Sequence, residues 1–304
     1  MNLKSSGVVK QILFSPKIAP YIFVSPFILS FVIFFLYPSF STVVMSFNRV
    51  LGKGQNQFIG LENYIRLFTD IHFYNAVITS TIYTLLTIAL LIPFPIFYAV
   101  ILNSRNMIAR NAFRSILFLP ALTSVIVAGV AFRLMFGESD FSLINSLLLH
   151  LGLQPVNWRL SYWPGMFIMV FLAFWRWAGV NMVYFLSGLQ NIPTELYESA
   201  DIDGANKVQQ FFKITLPLLK PIIIYVLTIS IYGGFAMFGE SYVYWNENMP
   251  GDIGLTIVRY LYQQAFQRND LGLGSAIGIT LLLLVLSINL IQLKFFGLFK
   301  RDES

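Results

Sequence analysis

The 304-residue chain has no cysteine, only two histidines and little charge, with 11% of its residues Asp, Glu, Lys or Arg against the roughly 25% usual in soluble domains. Each shortage excludes something. Without cysteine there is no disulfide framework, thiolate nucleophile or Cys-ligated metal or iron–sulfur centre. His72 and His150 lie far apart and no HExxH spacing occurs, so no resident metal and no cofactor of the chain's own is expected. So little charge also means that water is not the main solvent. The net charge of +6 would suit a polyanion only if the basic residues formed a stripe on a soluble face. There is no such stripe, and no nucleic-acid partner is expected. Apolar residues dominate instead, at 57% of the chain, including 30 phenylalanines.

A bilayer is crossed by roughly 20 predominantly apolar helical residues. Long uncharged windows run from Ile18 to Asn48, Phe73 to Ser104, Pro221 to Gly239 and Leu271 to Leu293. Ser115 to Phe132 ends against Arg133, and Leu160 to Thr194 carries Arg176 near the middle of its apolar part. These windows predict an all-α integral membrane protein with six spans, roughly 19–46, 73–103, 112–136, 164–188, 219–240 and 271–296. The first window is too long for a secretory h-region and lacks an A-x-A site, so it reads as a retained anchor. The chain is expected to form one membrane domain, 1–304, with the external stretches Val50 to His72 and Ser139 to Trp163 as turn-rich caps.

Basic residues accumulate on the cytoplasmic side of membrane proteins. Lys4, Lys10 and Lys17, then Arg105, Arg110 and Arg114, then Lys207, Lys213 and Lys220, and finally Lys294, Lys300 and Arg301 all fall on one side of a six-span chain. Arg49, Lys53, Arg66, Arg159, Arg259 and Arg268 on the other side are diluted by acidic residues. Both termini are therefore expected to be cytoplasmic. The bilayer itself accounts for the basic composition.

The fourth loop, 191–218, has its own grammar. Thr194 is placed to cap a helix beginning at Glu195, with Glu198 and Asp201 following. Gly204 supplies an elbow that residues with a β-carbon resist. Val208, Phe211 and Phe212 then recur at helical spacing beside Lys207, Gln209, Gln210 and Lys213, which predicts a short amphipathic helix. Pro217 and Pro221 close the loop and open the next span.

Glu198, Ser199, Ala200, Gly204 and then Ile214, Leu216 and Pro217 resemble the EAA loop of ATP-binding-cassette (ABC) importer permeases, whose pattern is E-A-A, three residues, G, nine residues, I-x-L-P. Only the middle alanine departs, replaced by the small Ser199. The stretches from Phe58 to Tyr64, Phe113 to Pro120 and Leu186 to Gln190 are similar to binding-protein-dependent carbohydrate-uptake permeases. Within these, stretches such as YVLTISIYGGF and IGLTIVRYLYQQAF look closest to permeases for arabino-oligosaccharides. The resemblance implies a type I ABC importer permease fold and an EAA coupling loop docked in a groove of an ATPase subunit. It also implies a heterodimer with a second permease subunit, two copies of the ATPase, and an extracytoplasmic sugar-binding protein delivering an oligosaccharide. No P-loop occurs, since the glycine-rich text from Gly272 to Gly278 lacks the Lys-Ser/Thr ending. ATP and Mg would be held by the partner ATPase, and this chain is expected to be no enzyme. Gly274 and Gly278 read instead as a small-xxx-small packing pair.

A sugar presents hydroxyls at its ring edge and weakly apolar faces, so its path should mix aromatic platforms with hydrogen-bonding groups. The fourth span offers Trp175, Arg176, Trp177, Asn181 and Tyr184, and the fifth offers Tyr225, Ser230, Tyr232, Phe235 and Glu240. The candidate cavity residues are Arg176, Trp177, Asn181, Tyr184, Tyr232, Phe235 and Glu240. Arg176 lines the cavity, forms a structural ion pair with a helix of a partner subunit, or lies nearer the outer surface than the middle of its window. The tryptophans could equally mark the membrane interface, and Glu240 is placed at the external mouth. Two other classes compete. An ion-coupled secondary transporter needs acidic residues within its spans, and the windows above hold none. A membrane-embedded enzyme needs a catalytic constellation, and no nucleophile–base pair accompanies the acidic residues of the fourth loop.

Overall fold

The computed structural model describes residues 16–50, 56–104, 107–245 and 250–297. Helix α1 (Ala19–Ser46) precedes a small hairpin of β1 (Asn48–Val50) and β2 (Asn56–Phe58), paired antiparallel with Asn48 opposite Phe58. Next come α2 (Glu62–Thr69) and α3 (Ile71–Asn103), then α4 (Arg110–Leu122), α5 (Val125–Met135) and α6 (Leu143–His150). Helix α7 (Tyr162–Gln190) is the long central one, and α8 (Thr194–Ile202) and α9 (207–218) make up the fourth loop. The chain finishes with α10 (Lys220–Phe235), α11 (Gly239–Trp245), α12 (Ile257–Tyr262) and α13 (Leu271–Phe295). Among the described residues, five stretches are long and apolar enough to cross a bilayer: α1, α3, α7, α10 with α11, and α13.

The sixth expected span, 112–136, is not one straight helix. Its halves α4 and α5 meet at a bend of 93°. Pro120 sits inside the last turn of α4, where it cannot donate a helical hydrogen bond. Thr123 and Ser124 then take extended backbone with ψ near 132° and 137°, and the Ser124 hydroxyl accepts the amide of Ile126 to start α5 anew. The bent pair makes a sixth crossing only if both arms are counted together.

Proline also interrupts α3. Pro95 has no N–H to offer the carbonyl of Leu91, and the side-chain amide of Asn181 on α7 donates to that oxygen instead, at 3.0 Å. The outer stretches expected as turns are more ordered than that, with the β1–β2 hairpin, α2 and α6 among their described residues. Asn145 on α6 is fully buried. Its carbonyl accepts from Val156 N and Trp158 Nε1, at 3.1 and 2.8 Å, and its nitrogen donates to the carbonyls of Gly137 and Val156.

Helix α7 forms the centre of the packing, two of the three buried clusters being built on it. One joins Met166, Met169 and Leu172 to Tyr83, Phe132, Tyr244 and Trp245. Another joins Met182, Phe185 and Leu189 to Ile96, Leu102 and Leu219. Backbones approach closely at its crossing with α4, where a β-carbon on Gly179 would lie 1.8 Å from the carbonyl oxygen of Leu117. The third cluster gathers Phe73, Ile231, Tyr260, Leu273 and Ile277 around α13. There Gly274 faces Ala265, which a β-carbon would approach to 2.5 Å, so the expected packing pair lies on a helix contact. Helix α1 contrasts with this core, because none of its apolar window is buried.

Candidate functional site

A cavity of about 530 Å³ opens between α3, α7, α10 and α11, with Val125 at the head of α5 in its wall. Two interruptions of regular helix meet here: the α4–α5 bend and the break at residues 236–238 that separates α10 from α11. Irregular backbone at membrane depth persists only where it is buried or lines a cavity.

Six of the seven expected cavity residues, Arg176, Trp177, Asn181, Tyr184, Tyr232 and Glu240, line this space. Phe235 does not. It is 3% exposed and packs in the cluster around Phe73 and Tyr260, because successive side chains on α10 point to different faces. Trp175 also turns away, its ring 5.8 Å from that of Phe132.

Glu240 stands in the cavity wall. It lies inside the 26-residue apolar stretch Lys220–Trp245, and its Oε1 accepts a hydrogen bond from Nη1 of Arg176 at 2.8 Å. The window from Pro221 to Gly239 holds no acidic residue, and Glu240 follows it at once in the same stretch. Both residues are 9% exposed, and the guanidinium also lies 5.4 Å from the Trp177 ring centroid. Arg176 thus lines the cavity and is ion-paired at once, and its partner belongs to its own chain. Isolated, either charge would be costly at this depth.

Asn181 is engaged by the Leu91 carbonyl at the α3 break, so it braces the wall as well as facing the space. The Tyr184 and Tyr225 rings meet edge-on at 5.3 Å. Trp177 and Tyr232 are 41% and 65% exposed, so one side of the cavity is open in the single chain. Sequence reading missed Tyr83, Thr87 and Gly233 in the lining. The available signal was Ser80, Tyr83, Thr84 and Thr87 recurring at helical spacing inside an apolar span, of which Thr84 lies against Gly234.

The fourth loop forms a separate site. Helix α8 begins at Thr194, with Pro193 as the residue before it and no side-chain cap, so Thr194 is the first helical residue and does not cap. Gly204 adopts φ +77°, and a β-carbon at this position would meet nothing within 4 Å. Beyond it, Asn206 and Gln209 cap α9 reciprocally. The elbow is tied by Asp201, which accepts from Lys207 and Gln210; these bonds, Lys207 first, hold its carboxyl below the ordinary carboxylate range. Tyr197 and Thr215 join their hydroxyls at 2.8 Å, linking α8 to α9.

The burial pattern of α9 departs from an amphipathic surface helix. Gln210 is buried while Val208 and Phe212 are 65% and 60% exposed. A π-turn at Phe211–Thr215 shifts the register between the two ends of this short helix. Ile202 is 87% exposed as well, so the loop presents apolar side chains outward. Glu198, Ser199 and Pro217 are exposed, and Ala200, Ile214 and Leu216 are half-buried.

Comparison with known proteins places this geometry. Residues 74–296 match the family described as binding-protein-dependent transport system inner membrane component. The chain is 55% identical over 299 residues to the arabinooligosaccharides transport system permease protein AraP of Bacillus subtilis, covering 98% of this chain and 95% of that one. It is 53% identical to the AraP protein of Halalkalibacterium halodurans, over 95% of this chain and 91% of the other. A solved bacterial ABC transporter involved in import of the acidic polysaccharide alginate shares the fold, with a TM-score of 0.80 at 23% identity over 93% of this chain and 96% of that one. The chain belongs to the binding-protein-dependent transport system inner membrane components, and it is a permease subunit of an ABC importer.

Proposed function

We propose that this permease carries oligosaccharides, arabino-oligosaccharides among them, into a bacterial cell by alternating access, driven by ATP hydrolysed on partner subunits. The observation that carries this reading is the 191–218 loop. A helix, an elbow at Gly204 and a second helix present Ile202, Val208 and Phe212 to solvent, as a surface that docks into another protein would. The partner proposed for that surface is a cytoplasmic ABC ATPase, present in two copies and holding ATP and Mg. Glu198, Ser199, Ala200, Gly204, Ile214, Leu216 and Pro217 would form the coupling element.

Both termini are then cytoplasmic, on the side of the loop. The open side of the cavity, marked by exposed Trp177 and Tyr232, supports completion by a second permease subunit. Aromatic and hydroxyl-bearing walls suit the apolar faces and polar edges of a sugar, delivered by an extracytoplasmic binding protein. Closure of the ATPase pair would draw the two coupling loops together and reorient the helices around the cavity.

Glu240 is the one feature that would serve an ion-coupled carrier, and its pairing with Arg176 commits its charge elsewhere. The test is reconstitution of the importer in proteoliposomes. ATP hydrolysis should be stimulated by sugar-loaded binding protein, and uptake of arabino-oligosaccharides should require ATP. Uptake driven by a proton or sodium gradient without ATP would overturn the proposal.

A further inference from the structure

The cavity is closed on itself in charge. Arg176 on α7 and Glu240 on α11 pair at 2.8 Å, each 9% exposed, and no other Asp, Glu, Lys, Arg or His lines the space among the described residues. The rest of the wall is hydroxyl, amide, aromatic and aliphatic. A buried guanidinium is the usual receptor for a carboxylate, which it holds with two parallel hydrogen bonds. In this cavity that position is occupied by the chain's own carboxylate.

A second observation concerns what the guanidinium still offers. Its Nε is buried and without a hydrogen-bond partner among the described residues. Arg176 is therefore not saturated, and removing Glu240 would leave it as a strong anion site. With Glu240 present, an incoming uronate would have to displace a carboxylate from Nη1 and lie beside a like charge at low dielectric. Hydroxyls and ring oxygens of a neutral sugar meet neither cost.

We propose that Glu240 is a specificity-determining residue: by neutralising Arg176 it makes the cavity accept uncharged oligosaccharides and reject carboxylated ones. This rests on the cavity being the sugar path. The fold does not settle the matter, because the alginate importer of the same fold is involved in import of an acidic polysaccharide.

The complete importer in lipid nanodiscs, without its binding protein, provides the assay. Equilibrium binding of arabinotriose and of trigalacturonate separates neutral from anionic cargo. Wild type should bind arabinotriose at least about tenfold more tightly than trigalacturonate. Glu240→Gln should gain about tenfold or more for trigalacturonate relative to arabinotriose, and salt should weaken that gain. No gain in Glu240→Gln overturns the proposal. Should that variant fail to assemble, Arg176→Gln should instead gain binding of an N-trimethylated glucosamine trisaccharide, whose positive charge is fixed at any pH, and its failure to do so counts equally against the idea. Wild type binding trigalacturonate as well as arabinotriose overturns it without any variant. Wild type binding neither sugar overturns the sugar-path reading, whereas arabinotriose binding with a silent Glu240→Gln overturns the charge argument alone.

Discussion

Replacing Gly204 separates two ways in which the coupling loop could depend on it. Its φ of +77° lies in the left-handed region, and an added β-carbon would meet nothing within 4 Å. Any effect inside this chain is therefore backbone strain alone, about 1–2 kcal/mol for an ordinary L-residue. That corresponds to a factor of roughly 5–30 in the population of the bent elbow. Asparagine tolerates this region better than most residues. Sugar uptake and binding-protein-stimulated ATP hydrolysis should therefore fall by about 5–30-fold in Gly204→Ala, at least as far in Gly204→Val, and by only about threefold or less in Gly204→Asn. The amount of each variant in the membrane fraction should match wild type, because the loop lies outside the spans. The order of the variants carries the test. If Asn, the bulkier residue, proves worse than Ala, then side-chain volume at a docking surface matters and the conformational reasoning fails.

Two further substitutions probe the packing. Gly179→Ala would place a carbon 1.8 Å from the Leu117 carbonyl oxygen, forcing α4 and α7 apart at a cost of about 1–3 kcal/mol or more. Its melting temperature in detergent should drop, while Gly233→Ala, facing open space in the cavity wall, should leave it unchanged; equal melting of the two would refute the close crossing. Asn145→Ala removes a buried hub of four hydrogen bonds and leaves Val156 N and Trp158 Nε1 without their acceptor, at about 1–3 kcal/mol each, while the Gly137 and Val156 carbonyls keep Ser142 Oγ and Trp158 N. Limited proteolysis should then cut faster between Gly137 and Trp158, and an unaltered cleavage pattern would count against the hub.

The legible features of the sequence were those written locally. Four spans follow from uninterrupted apolar length and α7 from a window broken only by Arg176, and Gly204 follows from a polar loop that needs a turn. The bend between α4 and α5 was hidden because Leu122, Thr123, Ser124 and Val125 suit an apolar helix as well as a break. Only the extended backbone at Thr123 and Ser124 distinguishes the two. The partner of Glu240 was hidden because it lies 64 residues away, and no local pattern encodes a pair at that separation. The same limit separated Phe235 from Tyr232. Both are aromatic residues of one span, and only the third dimension shows that one faces the cavity and the other the core around α13.

The separation of Arg176 from Glu240 also has a meaning in time. A ribosome completes α7 before it has made α11, so the first charge enters the membrane while the second does not yet exist. A lone arginine at the centre of a helix costs about 2.5–3.5 kcal/mol on insertion scales, and α7 is the least hydropathic of the five apolar stretches. Helix α1 can settle in lipid as it emerges, since the rest of the fold covers none of its apolar window. Helix α7 has no such independence. Its arginine stays without its carboxylate until α11 has been made, so this wall of the cavity is completed only when the later part of the chain reaches α7.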